Sequence, residues 1–143
     1  MYLLNSYKES QVPYIQKMNM LINIDDMLEN GIVMNGKLCE KPKSFRVACT
    51  LTTQIIAAVA SNQYGGQSVD ISHLGKFVRI SKEKFYKQIP DDIKEKLTKK
   101  QVDELVNDEL KYEIKAGVQT IQYQINTLMT TNGQSPFVTL FMY

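Results

Sequence analysis

The stretch Val59-Ala60-Ser61-Asn62-Gln63-Tyr64-Gly65-Gly66 decides how this chain is read, because in it an apolar helical period stops and amides, a hydroxyl and two glycines take over. Upstream, Phe45, Ala48, Leu51, Ile55, Ile56 and Val59 recur at three- and four-residue intervals behind Ser44, a capping residue, so an amphipathic helix is expected over 44–64. A second junction of the same kind, Asn132-Gly133-Gln134-Ser135-Pro136-Phe137-Val138-Thr139, follows the longest periodic run of the chain. Junctions of this type expose backbone N–H groups and side-chain polar groups to a ligand.

Working outward from Gly66, Asp70 caps a second expected helix over 70–89, with Leu74, Phe77, Val78 and Phe85 inward and Lys76, Lys82, Lys84 and Lys87 outward, until Pro90 stops it. Thr98-Lys99-Lys100-Gln101 has the form of a capping box and opens a third helix over 98–130. There Val102, Leu105, Val106, Leu110, Ile114, Val118, Ile121, Ile125 and Leu128 keep a helical period, with Gly117 as a weak point or a close-packing point. Two short strands are expected at the ends. One lies between Tyr14 and Ile24, where Met18, Met20, Ile22 and Ile24 alternate, and one over 136–143, a β-prone run after Pro136. Between the first strand and Ser44, the sequence Asp25 to Gly31 reads as a short helical turn stopped by glycine, and the part containing Gly36, Cys39 and Pro42 reads as an irregular loop. Two strands alone do not make a stable sheet, so residues 1–143 are expected to be one incomplete domain of a larger α/β body.

Composition narrows the partners. The 143 residues are 43% hydrophobic and 22% charged, which excludes a disordered chain, and 17 basic against 15 acidic residues give no basic field for nucleic acid or a membrane surface. No run approaches the roughly 20 apolar residues of a bilayer span, and the start lacks a basic and then apolar leader, so a cytoplasmic location is expected. Cys39, Cys49 and the single His73 are too few for a disulfide framework or a tetrahedral metal site. Cys49 falls on the apolar side of its helix and is read as a buried structural thiol. Cys39 is read as incidental, His73 as a surface or core residue, and no triad of nucleophile, base and orienter can be drawn.

The chain resembles the anaerobic, oxygen-sensitive class III ribonucleoside triphosphate reductases, which are glycyl-radical enzymes. The resemblance rests on Asp26-Met27-Leu28-Glu29-Asn30-Gly31, Glu40-Lys41-Pro42-Lys43-Ser44, Ala48-Cys49-Thr50 through Gln54-Ile55-Ile56, Val59 to Gly66, and Asn126-Thr127-Leu128 through Thr139, in the family's order and near its spacing. It implies part of the first half of a ten-stranded α/β barrel, dominated here by three long amphipathic helices with two short strands, and an activity that converts ribonucleoside triphosphates to deoxyribonucleotides for DNA synthesis. It also implies effector-nucleotide contacts at Glu40, Lys43, Gln54 and Lys84 and a substrate-pocket wall at Ser61, Gln63, Tyr64, Gly65, Gly66, Asn132, Gln134, Ser135 and Phe137. Lysines neutralise a triphosphate, and a carboxylate and an amide can read a base edge.

The family's cofactors are a glycyl radical, a zinc site, and a partner activase with an iron-sulfur cluster and S-adenosylmethionine. None of their carriers is in this sequence: the only Arg-Val is Arg46-Val47, followed by Ala48-Cys49, and neither a four-cysteine zinc site nor an ATP cone is present. The cysteine expected on the first barrel strand is missing near Asn19, and residues 1–25 are a divergent start. The isolated chain is therefore expected to be catalytically incompetent, with nucleoside triphosphates, deoxynucleotide effectors, the activase and a second copy of the enzyme as partners, and with neither nucleic acid nor membrane. The alternative reading is a truncated, non-catalytic module for effector binding and dimerisation.

Overall fold

The computed structural model describes residues 20–61, 66–128 and 138–141. Strand β1 (Met20–Ile22) runs straight into helix α1 (Ile24–Asn30), where Asn23 caps by accepting from the Asp26 N–H at 3.3 Å. Gly31 ends α1 at φ +78°, and a Cβ there would come within 2.9 Å of the Cys39 carbonyl, so only glycine fits. Next comes a feature that the sequence reading treats as an irregular loop. Strands β2 (Ile32–Met34) and β3 (Lys37–Cys39) pair antiparallel, with Ile32 opposite Cys39 and Met34 opposite Lys37. The two turn residues, Asn35 and Gly36, both have positive φ, 50° and 74°, the backbone that matches a tight hairpin to the strand twist. Cys39 is thus a strand residue and not a loop residue.

Helix α2 (Phe45–Ala60) starts at Ser44, whose hydroxyl accepts from the Val47 N–H, as the capping argument requires. Beyond it lies β4 (Gln67–Asp70), a strand that the sequence reading does not contain, since apolar-polar alternation over four residues is too short to stand out. Asp70 then caps a 3-10 turn (Ile71–Leu74) that continues into α3 (Gly75–Gln88). A further short helix, α4 (Asp91–Lys96), occupies the gap between Pro90 and Thr98, and α5 (Lys99–Thr127) opens with both halves of the Thr98–Gln101 capping box formed. Strand β5 (Val138–Phe141) closes the described chain.

The fold class is α/β and mostly helical, with five strands among the described residues in place of the two expected, and with α1 and α4 in addition to the three long helices. β1, β4 and β5 form one parallel sheet in that order, with Leu21 opposite Ser68 and Ser68 opposite Thr139. Each strand is joined to the next through helices, the connection that parallel pairing demands. The core between sheet and helices holds Ile22, Ile24, Leu28, Ala48, Ile55, Ile56, Val69 and Phe77, all essentially closed to solvent.

Helix α5 packs along α2 where it has no side chain to interpose. A Cβ on Gly117 would lie 2.6 Å from the Phe45 ring and 2.9 Å from Cys49 Sγ, so the glycine is a close-packing point. Two residues expected to face inward do not: Leu105 is 50% and Val118 52% exposed. A helix of 29 residues has more apolar periods than its neighbours can cover, and Leu105 instead lines a cleft of about 310 Å³ with Phe85, Ile89, Pro90 and Ile93. Among the described residues no helix is long and apolar enough to cross a membrane.

Candidate functional site

Both polar junctions lead into neighbouring strands of the parallel sheet. Ser61 terminates α2, its N–H bonded to the Ala57 carbonyl at 3.0 Å, and Gly66 stands immediately before β4. Gln67, the next residue, pairs with Val138, the first residue of β5. The two junctions therefore reach the sheet side by side, at the same end of adjacent strands. Gln63, Tyr64, Gly65, Asn132, Gln134, Ser135 and Phe137 lie outside the described residues, as does the Asn19 position.

Gln67 is 1% exposed, its Nε2 donates to the Ile56 carbonyl of α2 at 3.1 Å, and its Oε1 has no hydrogen-bond partner. An amide at a buried strand position is costly unless both ends are satisfied. On the same face, Ile22, Val69 and Val138 turn toward the helices. Strand alternation puts Leu21, Ser68, Asp70 and Thr139 on the opposite face. Asp70 accepts from the Ser72 N–H at 2.9 Å and from its hydroxyl at 2.6 Å, and His73 Nε2 stands 3.3 Å from the other oxygen. The two bonds from Ser72 hold the Asp70 carboxyl below its ordinary range. His73 is thus an acid-paired residue near the end of β4.

The residues expected to meet an effector nucleotide divide into two groups. Glu40 and Lys43 are exposed in the segment entering α2, and Lys84 is exposed on α3 one turn beyond Ser81. Ser81 is buried and its Oγ accepts from the Phe45 N–H at 2.8 Å, which ties this part of α3 to the start of α2. Gln54 is also exposed but sits about 15 Å along α2 from Ser44, at 1.5 Å rise per residue. The free N–H groups of the first turn of α2 are taken: Phe45 by Ser81, Arg46 by the Glu113 carboxylate at 3.3 Å, and Val47 by Ser44. The positive end of this helix is closed by a carboxylate from α5, and attraction for an anion there falls to the lysine side chains.

A chain of ion pairs, invisible to sequence spacing, holds this entry segment. Lys41, between Glu40 and Lys43, pairs with Glu29 of α1; Glu29 pairs with Lys76 at 2.8 Å; and Lys76 pairs with Asp25. The Lys41 and Lys76 ammonium groups bring the Glu29 carboxyl down to about 2, and Asp25 and Glu29 raise the Lys76 ammonium. Lys76, expected to point outward, is instead partly buried in this network. The 51 residues between Asp25 and Lys76 put the contact beyond any local pattern.

Cys49 is fully buried, and burial together with the nearby Glu113 charge pushes its thiol up to about 12. It is a protonated core residue, as its place on the apolar side of α2 implies. Among the described residues no group of three His, Cys, Asp or Glu side chains is placed to hold a metal ion.

A family model for anaerobic ribonucleoside-triphosphate reductase matches residues 7–143. The chain is 36% identical over 135 residues to the anaerobic ribonucleoside-triphosphate reductase of Haemophilus influenzae, a match that covers 89% of this chain and 18% of that protein. The proteins of that description from Escherichia coli and from Enterobacteria phage T4 are 36% identical over 135 residues and 32% over 123, covering 18% and 19% of their length. The chain thus spans about a fifth of the length of these relatives.

Proposed function

The chain belongs to the anaerobic ribonucleoside-triphosphate reductase family, and on that premise we propose that it forms part of the first half of a reductase barrel, with one wall of the nucleotide pocket and a separate effector-binding surface. One observation carries the proposal: the pairing of Gln67 with Val138 delivers the two polar junctions to adjacent strands at one end of the sheet. The strand order β1-β4-β5, stepping in one direction through helical crossovers, supports the opening of a barrel. Ser61, Gln63, Tyr64, Gly65 and Gly66 from the first junction and Asn132, Gln134, Ser135 and Phe137 from the second would form the wall, with amides and hydroxyls to bind a ribose or phosphate and glycine to let the backbone approach. Glu40, Lys43 and Lys84 would meet the effector at the start of α2, and Gln54 farther along it.

The chain's own residues bind and orient; they do not carry the redox chemistry. When present, the family's glycyl radical, zinc site and activase with iron-sulfur cluster and S-adenosylmethionine would supply the radical chemistry that reduces the ribose. Nothing among the described residues fits those groups: Cys49 is buried and protonated, Cys39 is half-buried on β3, and no metal-binding cluster is formed.

The test is calorimetric titration of the purified chain with each ribonucleoside and deoxyribonucleoside triphosphate, alongside a turnover assay with a family activase. Binding of at least one deoxynucleotide, weakened by K43A and K84A, with no deoxynucleotide formed, is the expected result. Absence of heat for every nucleotide overturns the binding assignments, and turnover by the chain alone overturns the assignment of the redox chemistry elsewhere.

A further inference from the structure

We propose that Gln67 is a positioning residue for the nucleotide pocket, whose side-chain amide fixes the distance between the two ends of the first polar junction. The inference rests on the reading of the two junctions as a pocket wall, and adds to that wall the brace that holds it. The first ground is the bond itself: Gln67 Nε2 donates to the Ile56 carbonyl at 3.1 Å, across a separation of 11 residues. Ile56 stands one turn before the end of α2, and Gln67 is the first residue of β4. The bond therefore brackets residues 61–66, the segment that carries the first junction.

The second ground is what Gln67 is anchored to. β4 is the central strand of the parallel sheet, and its first residue pairs with Met20 on one side and with Val138 on the other. Val138 is the point at which the second junction enters β5. The backbone of Gln67 thus stands beside the end of one junction, while its side chain reaches back to the helix that precedes the other. A segment whose two ends are held loses freedom before a ligand arrives, and pre-organised groups bind with less ordering cost.

The third ground is that an amide is a poor choice here for stability alone. Gln67 is 1% exposed, and its Oε1 has no partner among the described residues. The orientation follows from chemistry: only the NH2 end of the amide can meet a carbonyl, so the end left unpaired is the oxygen. A buried acceptor without a donor is destabilising, and the Ile56 carbonyl already belongs to the hydrogen-bond ladder of its helix. Methionine would fill nearly the same space without burying an unpaired oxygen. Ile22 and Val69, on the same face, are apolar. A packing rule broken at one residue, beside a segment that binds, is the pattern of a side chain kept for function.

The experiment titrates the full chain, as wild type and as Q67M, with each ribonucleoside and deoxyribonucleoside triphosphate, and melts both proteins. Q67M is expected to melt at or above the wild-type temperature and to bind ribonucleoside triphosphates about tenfold more weakly, with deoxynucleotide binding at the effector surface changed by less than about twofold. A role in stability alone predicts the reverse, a lower melting temperature with affinities unchanged. V106A, a core substitution in the cleft between α3 and α5, supplies that pattern for comparison. Proton NMR of the wild type gives a reading that needs no variant to fold: the Gln67 side-chain NH2 should exchange slowly with solvent and shift when a ribonucleoside triphosphate is added. A folded Q67M with wild-type affinity for ribonucleotides, an equal loss for both nucleotide classes, or a rapidly exchanging Gln67 amide overturns this inference and leaves the pocket reading standing. A wild type that binds no ribonucleoside triphosphate overturns the pocket reading as well.

Discussion

Gly117 of α5 lies against Cys49 of α2 so closely that a Cβ at position 117 would sit 2.9 Å from the Cys49 sulfur and 2.6 Å from the Phe45 ring. Phe45 and Cys49 are buried at the start of the helix that leads to the first polar junction. Close approach of the two helices at this point holds the first turns of α2 against α5.

G117A is expected to lower stability by about 1–3 kcal/mol, the usual cost of overpacking a dense contact. The gain of up to about 1 kcal/mol from replacing a mid-helix glycine opposes it but is smaller. The shift in urea midpoint at constant slope is the measurement.

S81A removes the acceptor for the Phe45 N–H, a buried bond of 2.8 Å. The orphaned donor costs about 1–3 kcal/mol, more than the hydroxyl's own net contribution. A drop of that size in urea unfolding is expected, with the S44A capping variant costing about 1 kcal/mol by the same assay.

Thiol labelling separates the two cysteines. Cys49 is buried with its thiol pushed up to about 12, whereas Cys39 is half-buried at the end of a surface hairpin. A disulfide exchange reagent at pH 8 should modify Cys39 in the native protein and both cysteines in guanidinium. Because the folded value of Cys49 is raised, its contribution is complete below its ordinary value of 9.0 and is lost as pH rises toward about 12.

The Glu29 network gives the opposite dependence. Its carboxyl is depressed from 4.5 to about 2, so its contribution to stability is present above about 4.5 and is lost as pH falls toward about 2. E29Q should flatten the acid limb of a melting-temperature profile between those values and leave the profile at pH 6 to 8 nearly parallel to wild type. An unchanged acid limb would show that Lys41 and Lys76 do not hold Glu29 in solution.

Much of the helical framework is legible locally. Ser44 and Thr98 cap where their residue type and spacing require, and the three- and four-residue periods of α2, α3 and α5 turn their apolar sides to the core because a helix offers only one such stripe. The β2–β3 hairpin carried a readable signal in Asn35-Gly36, but three-residue strands on either side are too short to show alternation. β4 was hidden for a related reason: Gln67-Ser68-Val69-Asp70 is four residues with a single apolar side chain, too short and too polar to show a strand pattern. Leu105 and Val118 keep the period of α5, yet only the course of α2 and α3 determines how much of that helix is covered.

Residue order within a few turns of chain is enough to identify the family, the three long helices with their caps, and the two polar junctions. Tertiary structure alone decided the rest. The pairing of Gln67 with Val138, the row of Leu21, Ser68 and Thr139, and the ion pairs from Asp25 to Lys41 join residues from distant parts of the chain. Hydrogen bonding between parallel strands and charge pairing across helices act through space, and no local period records them.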